Sequence, residues 1–205
     1  MRHFTNGGSA TGLAATIAMS DALVREFSDR WQALGGHIFS TAGPMDMESV
    51  LARAALEAIT STECEGSSRT VLYEAGVIDV KWETVVRGLE DTHWVSWDDG
   101  GHMRNVAAEA VAGITGCAWA VASTGSVVLY HSGPQGLLPS VLPQAHIVVV
   151  RRDQIVATVP DGFKKIPRPI PRMMKIISGP SMTADIEATL VVGVHGPRWV
   201  GAVIL

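Results

Sequence analysis

The chain has 205 residues, of which 47% are hydrophobic and 18% are charged, with 20 acidic against 16 basic side chains. This apolar content is sufficient for a hydrophobic core and excludes disorder as a global description. The net charge of −4 argues against a non-specific nucleic-acid binder, because such proteins need a basic face. The length predicts a single domain over residues 1–205, in which residues 1–38 could form an N-terminal helical cap.

The two cysteines, Cys64 and Cys117, are far apart in the chain and form no CxxC motif. The chain's own thiols therefore cannot build an iron–sulfur cluster or a zinc ribbon. So few cysteines are typical of a reducing compartment, and we expect a cytoplasmic protein with free, buried thiols. The sequence identifies no cofactor, and we assign no metal site.

One uncharged stretch, Ala110–Tyr130, is long enough to span a bilayer. However, Gly113–Gly116 and Ser123–Ser126 interrupt it. We therefore predict two strands in this region, Cys117–Ala122 and Val127–Tyr130, rather than a membrane span. Continuous apolar strands of this kind occur in sheets that are covered on both faces.

The remaining elements of the first half alternate between helix and strand. Apolar residues at helical spacing predict a helix over Gly12–Leu34 that ends at Gly35-Gly36. A strand over His37–Thr41 and a helix over Pro44–Thr60 follow. The other predicted strands are Arg69–Tyr73, His93–Trp97, Ala145–Val150 and Lys175–Ser178.

Two further helices are predicted in the second half, Asn105–Ile114 with Asn105 as its N-cap, and Met182–Val191. Val192–His195 and Trp199–Ile204 are predicted to form a hairpin-like pair. Strands thus alternate with helices at first and then follow one another closely. This order predicts an α/β fold with a largely parallel sheet and antiparallel additions.

A hydroxyl-rich turn, Ser123–Ser126, follows the predicted strand Cys117–Ala122. In open α/β sheets, ligands collect at the carboxyl ends of strands. Exposed amides and hydroxyls there can hold a phosphate, a carboxylate or a carbonyl oxygen. Thr124, Gly125 and Ser126 are therefore candidate ligand-binding residues, and the alternative is a tight turn that needs glycine.

A second polar segment, Ser178–Glu187, leaves the predicted strand Lys175–Ser178 and opens the predicted helix. In the structural interpretation, Ser181 or Thr183 caps this helix and Asp185 lies at its positive end. In the functional interpretation, these side chains face the same crevice as Thr124–Ser126. Asp185 or Glu187 would then be a base, a nucleophile or a carboxylate that orients the ligand. The candidate ligand-binding residues of this segment are Ser178, Gly179, Ser181 and Thr183.

Two histidines flank strands of the predicted sheet. His146 opens the strand Ala145–Val150, and His195 precedes Gly196-Pro197. Either can be a structural hydrogen-bond donor or can reach a site. We take His146 as a candidate catalytic residue and His195 as a candidate ligand-binding residue.

Four segments together resemble the LUD-domain family. They are ASTGSVVL (Ala122–Leu129), LPQAHIVVV (Leu142–Val150), ISGPSMTADIE (Ile177–Glu187) and GVHGPRWVGAVIL (Gly193–Leu205). The resemblance is densest from about Asn105 to the C-terminus. It implies an α/β sheet with Rossmann-like winding, similar to the NagB/RpiA/CoA-transferase-like group. It also implies a role in oxidising L-lactate to pyruvate beside two iron–sulfur partner proteins, with this chain as the component that lacks a cluster.

The chain departs from the family pattern at two places. Ser132–Val141 contains no arginine where family members often have one, and Met182 stands where arginine or alanine is common. If that arginine grips an anionic ligand in the family, another residue has to do so here. The candidate substitutes are Arg104, Arg151 and Arg198.

Three functional hypotheses follow. The first is an accessory subunit of a lactate-oxidising system that binds a small organic acid or a cofactor fragment at the carboxyl ends of the strands. The second is an independent enzyme of the same fold group, which transfers acyl or CoA groups or handles sugar phosphates, with Asp185 or Glu187 as nucleophile or base. The third is a non-catalytic assembly module with a partner-sized apolar patch.

Overall fold

A computed structural model describes residues 9–40, 47–62, 69–74, 85, 89, 91–97, 103–131, 136–184, 190–192 and 195–205. The helices are α1 (Ser9–Ala33), α2 (Met47–Thr62), α3 (Met103–Glu109) and α4 (Val159–Phe163). The strands are β1 (His37–Ser40), β2 (Thr70–Tyr73), β3 (His93–Ser96), β4 (Ala112–Gly116), β5 (Trp119–Val121), β6 (Ser126–His131), β7 (Ala145–Val150), β8 (Ile155–Val156), β9 (Met173–Ile177), β10 (Met182–Ala184), β11 (Leu190–Val192) and β12 (Trp199–Ile204).

The centre of the fold is a six-stranded sheet with the order β1-β12-β7-β4-β2-β3. Every neighbouring pair in it is parallel. All residues of β7 and β12 are buried, so these strands are covered on both faces. The predicted α/β fold with a largely parallel sheet and an N-terminal helix is confirmed.

Two different layers cover the faces of this large sheet. On one face, α2 packs its buried side Leu51, Ala54, Ala55 and Ala58 against the sheet. On the other face, the cover consists of α1, through Phe27 and Trp31, and a four-stranded sheet with the order β8-β5-β6-β9. The result is a layered domain with the large sheet in the middle. None of the described helices combines the length and the apolar character that a membrane crossing requires.

The helix predicted over Asn105–Ile114 is wrong at both ends. The helix α3 begins at Met103 and ends at Glu109, so Asn105 lies inside it and is not its N-cap. The last residues of the predicted helix belong to β4, a fully buried strand between β2 and β7. The alanines before Gly113 favour a helix locally, but burial in the middle of the sheet decides the conformation.

The helix predicted over Met182–Val191 is also wrong. Its two ends are the strands β10 and β11, which pair antiparallel with Met182 opposite Val192 and Ala184 opposite Leu190. Consequently, no helix begins at this place for Ser181 or Thr183 to cap. Strand pairing at both ends of the segment overrides the helix preference of Met182, Ala184 and Leu190.

The hairpin predicted between Val192–His195 and Trp199–Ile204 does not form. The strand β12 lies between β1 and β7 and is parallel to both. Its six residues are all buried, and Val203 and Ile204 contact the layers on opposite faces of the sheet. A strand with two apolar faces is suited to a central position, and adjacency in sequence does not determine its partner.

The C-terminal end of α1 is anchored to the rest of the domain by a hydrogen bond to β1 and by a tight contact with the turn after β5. The indole Nε1 of Trp31 donates a hydrogen bond to the carbonyl of His37 at 3.0 Å. Gly125 has a φ of 61°, and a Cβ on it would lie 2.6 Å from the backbone nitrogen of Trp31. Glycine is therefore required at position 125 both by the backbone conformation and by the close approach of α1.

We expect the change Gly125→Ala to lower the free energy of unfolding by about 3 kcal/mol, because α1 has to move away from the new methyl group. Gly136→Ala is the matched control: Gly136 has a φ of 71°, but no atom of the described residues lies within 4 Å of its added Cβ. The control should lose only about 1 kcal/mol, from backbone strain alone. Urea denaturation measures both values, and equal losses would contradict the proposed packing role of Gly125.

Candidate functional site

A pocket of about 260 Å³ lies between the large sheet and the loops around β9. Its polar lining includes Ser140, His146, Lys175, Ser178, Ser181 and His195. We call it the serine–lysine pocket. It lies beside the amino-terminal ends of β7 and β12, since His146 and Val200 are the second residues of those strands. Ser178 directly follows the carboxyl end of β9, but the part of the large sheet that borders the pocket is the amino-terminal ends of β7 and β12.

The two hydroxyl-rich segments meet through one hydrogen bond. The Oγ atoms of Ser126 and Ser178 are 2.8 Å apart, and Ser126 is buried. Ser178 lines the serine–lysine pocket, whereas Thr124 is exposed and Gly125 packs against α1. The turn after β5 thus supports the pocket through Ser126 and lies behind its wall.

The wall that contains Ser178–Ser181 is held in place by its backbone. Gly179 has a φ of 90°, and an added Cβ would lie 2.7 Å from the carbonyl oxygen of Leu34 at the end of α1. The Ser181 amide donates a hydrogen bond to the Pro197 carbonyl at 2.8 Å. These contacts join two loops into one wall and fix the position of the hydroxyl groups of Ser178 and Ser181.

Lys175 supplies the positive charge of this pocket. Its Nζ donates a hydrogen bond to the Ser140 carbonyl at 2.8 Å. Burial lowers the pKa of Lys175 to about 8, so most of the ammonium groups stay protonated at neutral pH. A half-buried ammonium group beside hydroxyl groups suits a small carboxylate. From the sequence, Lys175 is predicted only as part of a strand, although a lone lysine in the apolar strand that leads into SGPS is a usable signal.

His146 is fully buried at the back of the serine–lysine pocket. Its Nε2 lies 2.9 Å from the Oγ1 of Thr115, and Nδ1 has no hydrogen-bond partner among the described residues. Burial, assisted by the charge of Lys175, lowers the pKa of His146 to about 3. The imidazole is therefore neutral at physiological pH, which suits hydrogen bonding to a ligand better than general-base catalysis.

The remaining predicted site residues have mixed positions. His195 lines the pocket and is exposed. Thr183 lies in β10 by its backbone. Asp185 and Glu187, the two predicted catalytic carboxylates, lie outside the described residues, and their roles stay predictions.

The three arginines considered as anion ligands are engaged or exposed elsewhere. Arg198 donates a hydrogen bond from Nη2 to the Thr62 carbonyl, and Arg151 pairs with Asp153 at 3.1 Å. Arg104 is exposed on α3. None of these three arginines lines the serine–lysine pocket, where Lys175 is the cation. In the described part of the chain, no cluster of three or more His, Cys, Asp or Glu residues could hold a metal ion.

Comparison with solved structures identifies the fold independently. The crystal structure of a DUF162 family protein from Deinococcus radiodurans superposes with a TM-score of 0.58 and 24% sequence identity. The match covers 90% of this chain and 97% of that one. The layered α/β architecture is therefore shared over nearly the whole domain.

Comparison with known sequences identifies the family. Lactate utilization protein C of Deinococcus radiodurans is 39% identical over 144 residues, which are 68% of this chain and 64% of that protein. Lactate utilization protein C 1 of Bacillus mycoides is 37% identical over 114 residues, which are 52% of this chain and 49% of that protein. The chain thus spans between half and two thirds of these relatives. The family model of the LUD domain matches residues 24–205, and this chain belongs to the LUD-domain family.

Proposed function

We propose that this protein acts in L-lactate utilisation and binds a small organic acid in the serine–lysine pocket. The names of its relatives in the family support the process. The observation that carries the binding role is the half-buried ammonium group of Lys175 among hydroxyl groups and the neutral imidazole of His146. L-lactate and pyruvate each present one carboxylate and one neighbouring oxygen, which is the pattern that these groups complement.

In this proposal, the carboxylate of the ligand pairs with Lys175 and accepts hydrogen bonds from Ser178 and Ser181. The hydroxyl or keto oxygen beside the carboxylate is turned toward Nδ1 of His146, which has no partner among the described residues. His195 lies at the exposed rim, where it can contact a ligand from the solvent side. These groups bind and orient the acid.

Oxidation of lactate to pyruvate removes two electrons and two protons from the substrate. We propose that iron–sulfur partner proteins of a lactate-oxidising system accept these electrons and that this chain is an accessory subunit. The proposal includes a cytoplasmic location, which the scarcity of cysteine favours. Within that assembly, the chain would hold the acid while the partners carry the redox chemistry.

Lys175→Met tests the proposed site because it removes the charge and keeps the aliphatic stem. We expect the affinity for L-lactate and pyruvate to fall by about tenfold or more, which is typical of losing one charge-assisted hydrogen bond. Isothermal titration calorimetry at neutral pH measures this loss. Lys165→Met, at an exposed lysine outside the pocket, is the matched control and should bind as the wild type does.

The same titration has an expected pH dependence. As the pH rises through about 8, Lys175 loses its proton, so the wild type should bind the acids more weakly. Binding by Lys175→Met should change little over this range. Unchanged affinity in Lys175→Met would show that the acid does not bind in the serine–lysine pocket.

His146→Gln tests whether the buried imidazole is neutral. The folded-state pKa of about 3 lies below the ordinary value of 6.5, so the unfolded chain binds a proton more readily than the folded chain. The contribution of His146 to the free energy of unfolding should be fully present above pH 6.5. It should be lost as the pH falls toward 3, by up to about 1.4 kcal/mol per pH unit.

Urea denaturation between pH 7 and pH 4 should show a shallower decline for His146→Gln than for the wild type. If His146→Gln and the wild type lose stability in parallel, the imidazole is not held neutral by burial.

A further inference from the structure

A second pocket, of about 200 Å³, lies at the other end of the strands of the large sheet, where β2 and β4 finish. It is lined by Glu74, which directly follows β2, and by Gly116, the last residue of β4. Leu129, Tyr130 and Leu137 form further parts of its wall. We call it the Glu74 pocket. Unlike the serine–lysine pocket, it lies at the carboxyl ends of parallel strands.

The sheet topology gives this position a special character. From β2 the chain proceeds to β3 at one edge of the sheet, whereas from β4 it proceeds to β7 and then β12 in the opposite direction. The strands β2 and β4 are neighbours, so the direction of winding reverses between them. At such a reversal the connections diverge and leave a crevice, in which open α/β proteins generally bind ligands.

The carboxyl group of Glu74 is positioned inside this crevice. The Glu74 amide donates to the Ile114 carbonyl at 3.0 Å, and Oε2 accepts a hydrogen bond from the Gly116 amide at 3.2 Å. The other oxygen, Oε1, makes no hydrogen bond to a described residue. Burial raises the pKa of Glu74, while the Gly116 amide and then His131 act in the opposite direction. A half-buried carboxyl group with one oxygen that has no partner among the described residues can accept a hydrogen bond from a ligand.

The rest of the pocket wall is largely apolar. Leu129 and Leu137 provide apolar surface beside the carboxyl group of Glu74. Tyr130 also borders the pocket, but its side chain packs with Trp119 on the face of β6 opposite to Leu129, where its hydroxyl oxygen accepts a hydrogen bond from Nε1 of Trp119 at 2.6 Å. The pocket therefore offers a hydrogen-bond acceptor beside an apolar wall, which together match a ring that carries neighbouring hydroxyl groups and has one apolar face.

We propose that the Glu74 pocket is a second ligand site, which binds a ribosyl or similar sugar-type diol through the carboxyl group of Glu74. A carboxylate at the end of a parallel strand is well suited to accept hydrogen bonds from sugar hydroxyls. Glu74 offers an anionic acid no positive charge at this place, so the two pockets select ligands of different charge.

Backbone-amide NMR with methyl ribofuranoside as the probe tests this proposal. The Gly116 amide donates a hydrogen bond to Glu74. Added sugar should therefore change the chemical shifts of the Gly116 and Cys117 amides, and the change should saturate as the sugar concentration rises. The deoxy analogue lacks one hydroxyl of the pair and should bind about fivefold or more weakly. L-lactate should leave the Gly116 signal in place, which keeps this test separate from that of the serine–lysine pocket.

Glu74→Gln is the matched variant, because the glutamine carbonyl can still accept the Gly116 hydrogen bond and support the fold. It should weaken methyl ribofuranoside binding by about tenfold. Glu109→Gln, at an exposed glutamate of α3, should bind as the wild type does. The amide spectrum of each variant verifies its fold. Absence of a saturable shift at Gly116, equal binding of the deoxy analogue, or undiminished binding by a folded Glu74→Gln would each overturn the proposal.

Discussion

The structure depends on keeping both faces of a parallel sheet out of water. The strands β7 and β12 expose none of their side chains, and each face of these strands has its own cover. Burying apolar surface on two sides is the main stabilising contribution available to a domain of this size. The two faces have different neighbours, because α2 covers one face and α1 together with the four-stranded sheet covers the other.

The two pockets lie at opposite ends of the strands of this sheet, and their chemistry differs accordingly. At the amino-terminal ends, the four-stranded sheet brings Lys175 over the beginning of β7, where His146 interrupts an otherwise apolar strand. At the carboxyl-terminal ends, the reversal of winding between β2 and β4 leaves Glu74 beside the Gly116 amide. A cation in one place and a carboxyl group in the other would allow one small domain to distinguish an acid from a neutral sugar. Both groups are half-buried, so their electrostatic effect on a ligand is stronger than it would be in open water.

Much of the fold could be predicted from the sequence because its signals are local. The run AHIVVV has no polar interruption beyond His146 and forms a central strand with the predicted bounds. The segment Met182–Val191 could not be assigned correctly, because its strands form through pairing with each other and not through local preference. The strand β4 was missed for a similar reason, since Gly113 and Thr115 are unremarkable until the neighbouring strands bury them.

The candidate site could be predicted only in part. Ser178, Ser181, His146 and His195 line one pocket, but their position at the amino-terminal ends of the strands depends on how the four-stranded sheet folds over the large one. That packing is a long-range property, and no spacing in the chain encodes it. Lys175 and Glu74 stand alone among apolar neighbours in sequence. Their importance depends on which other strands lie beside them.

The end of α1 contacts both hydroxyl-bearing segments at once. Gly125 approaches the backbone of Arg30 and Trp31, and Gly179 approaches Leu34, so one helix end limits the space at two separate turns. The hydrogen bond between Ser126 and Ser178 joins the same two turns directly, so α1 and the two turns are all in mutual contact. Residues in the last turns of α1 and residues at positions 125 and 179 are therefore mechanically linked, and a larger side chain at either glycine could persist in evolution only together with a compensating displacement of the helix. A displacement of α1 could therefore change the shape of the serine–lysine pocket while every polar side chain that lines it stays the same.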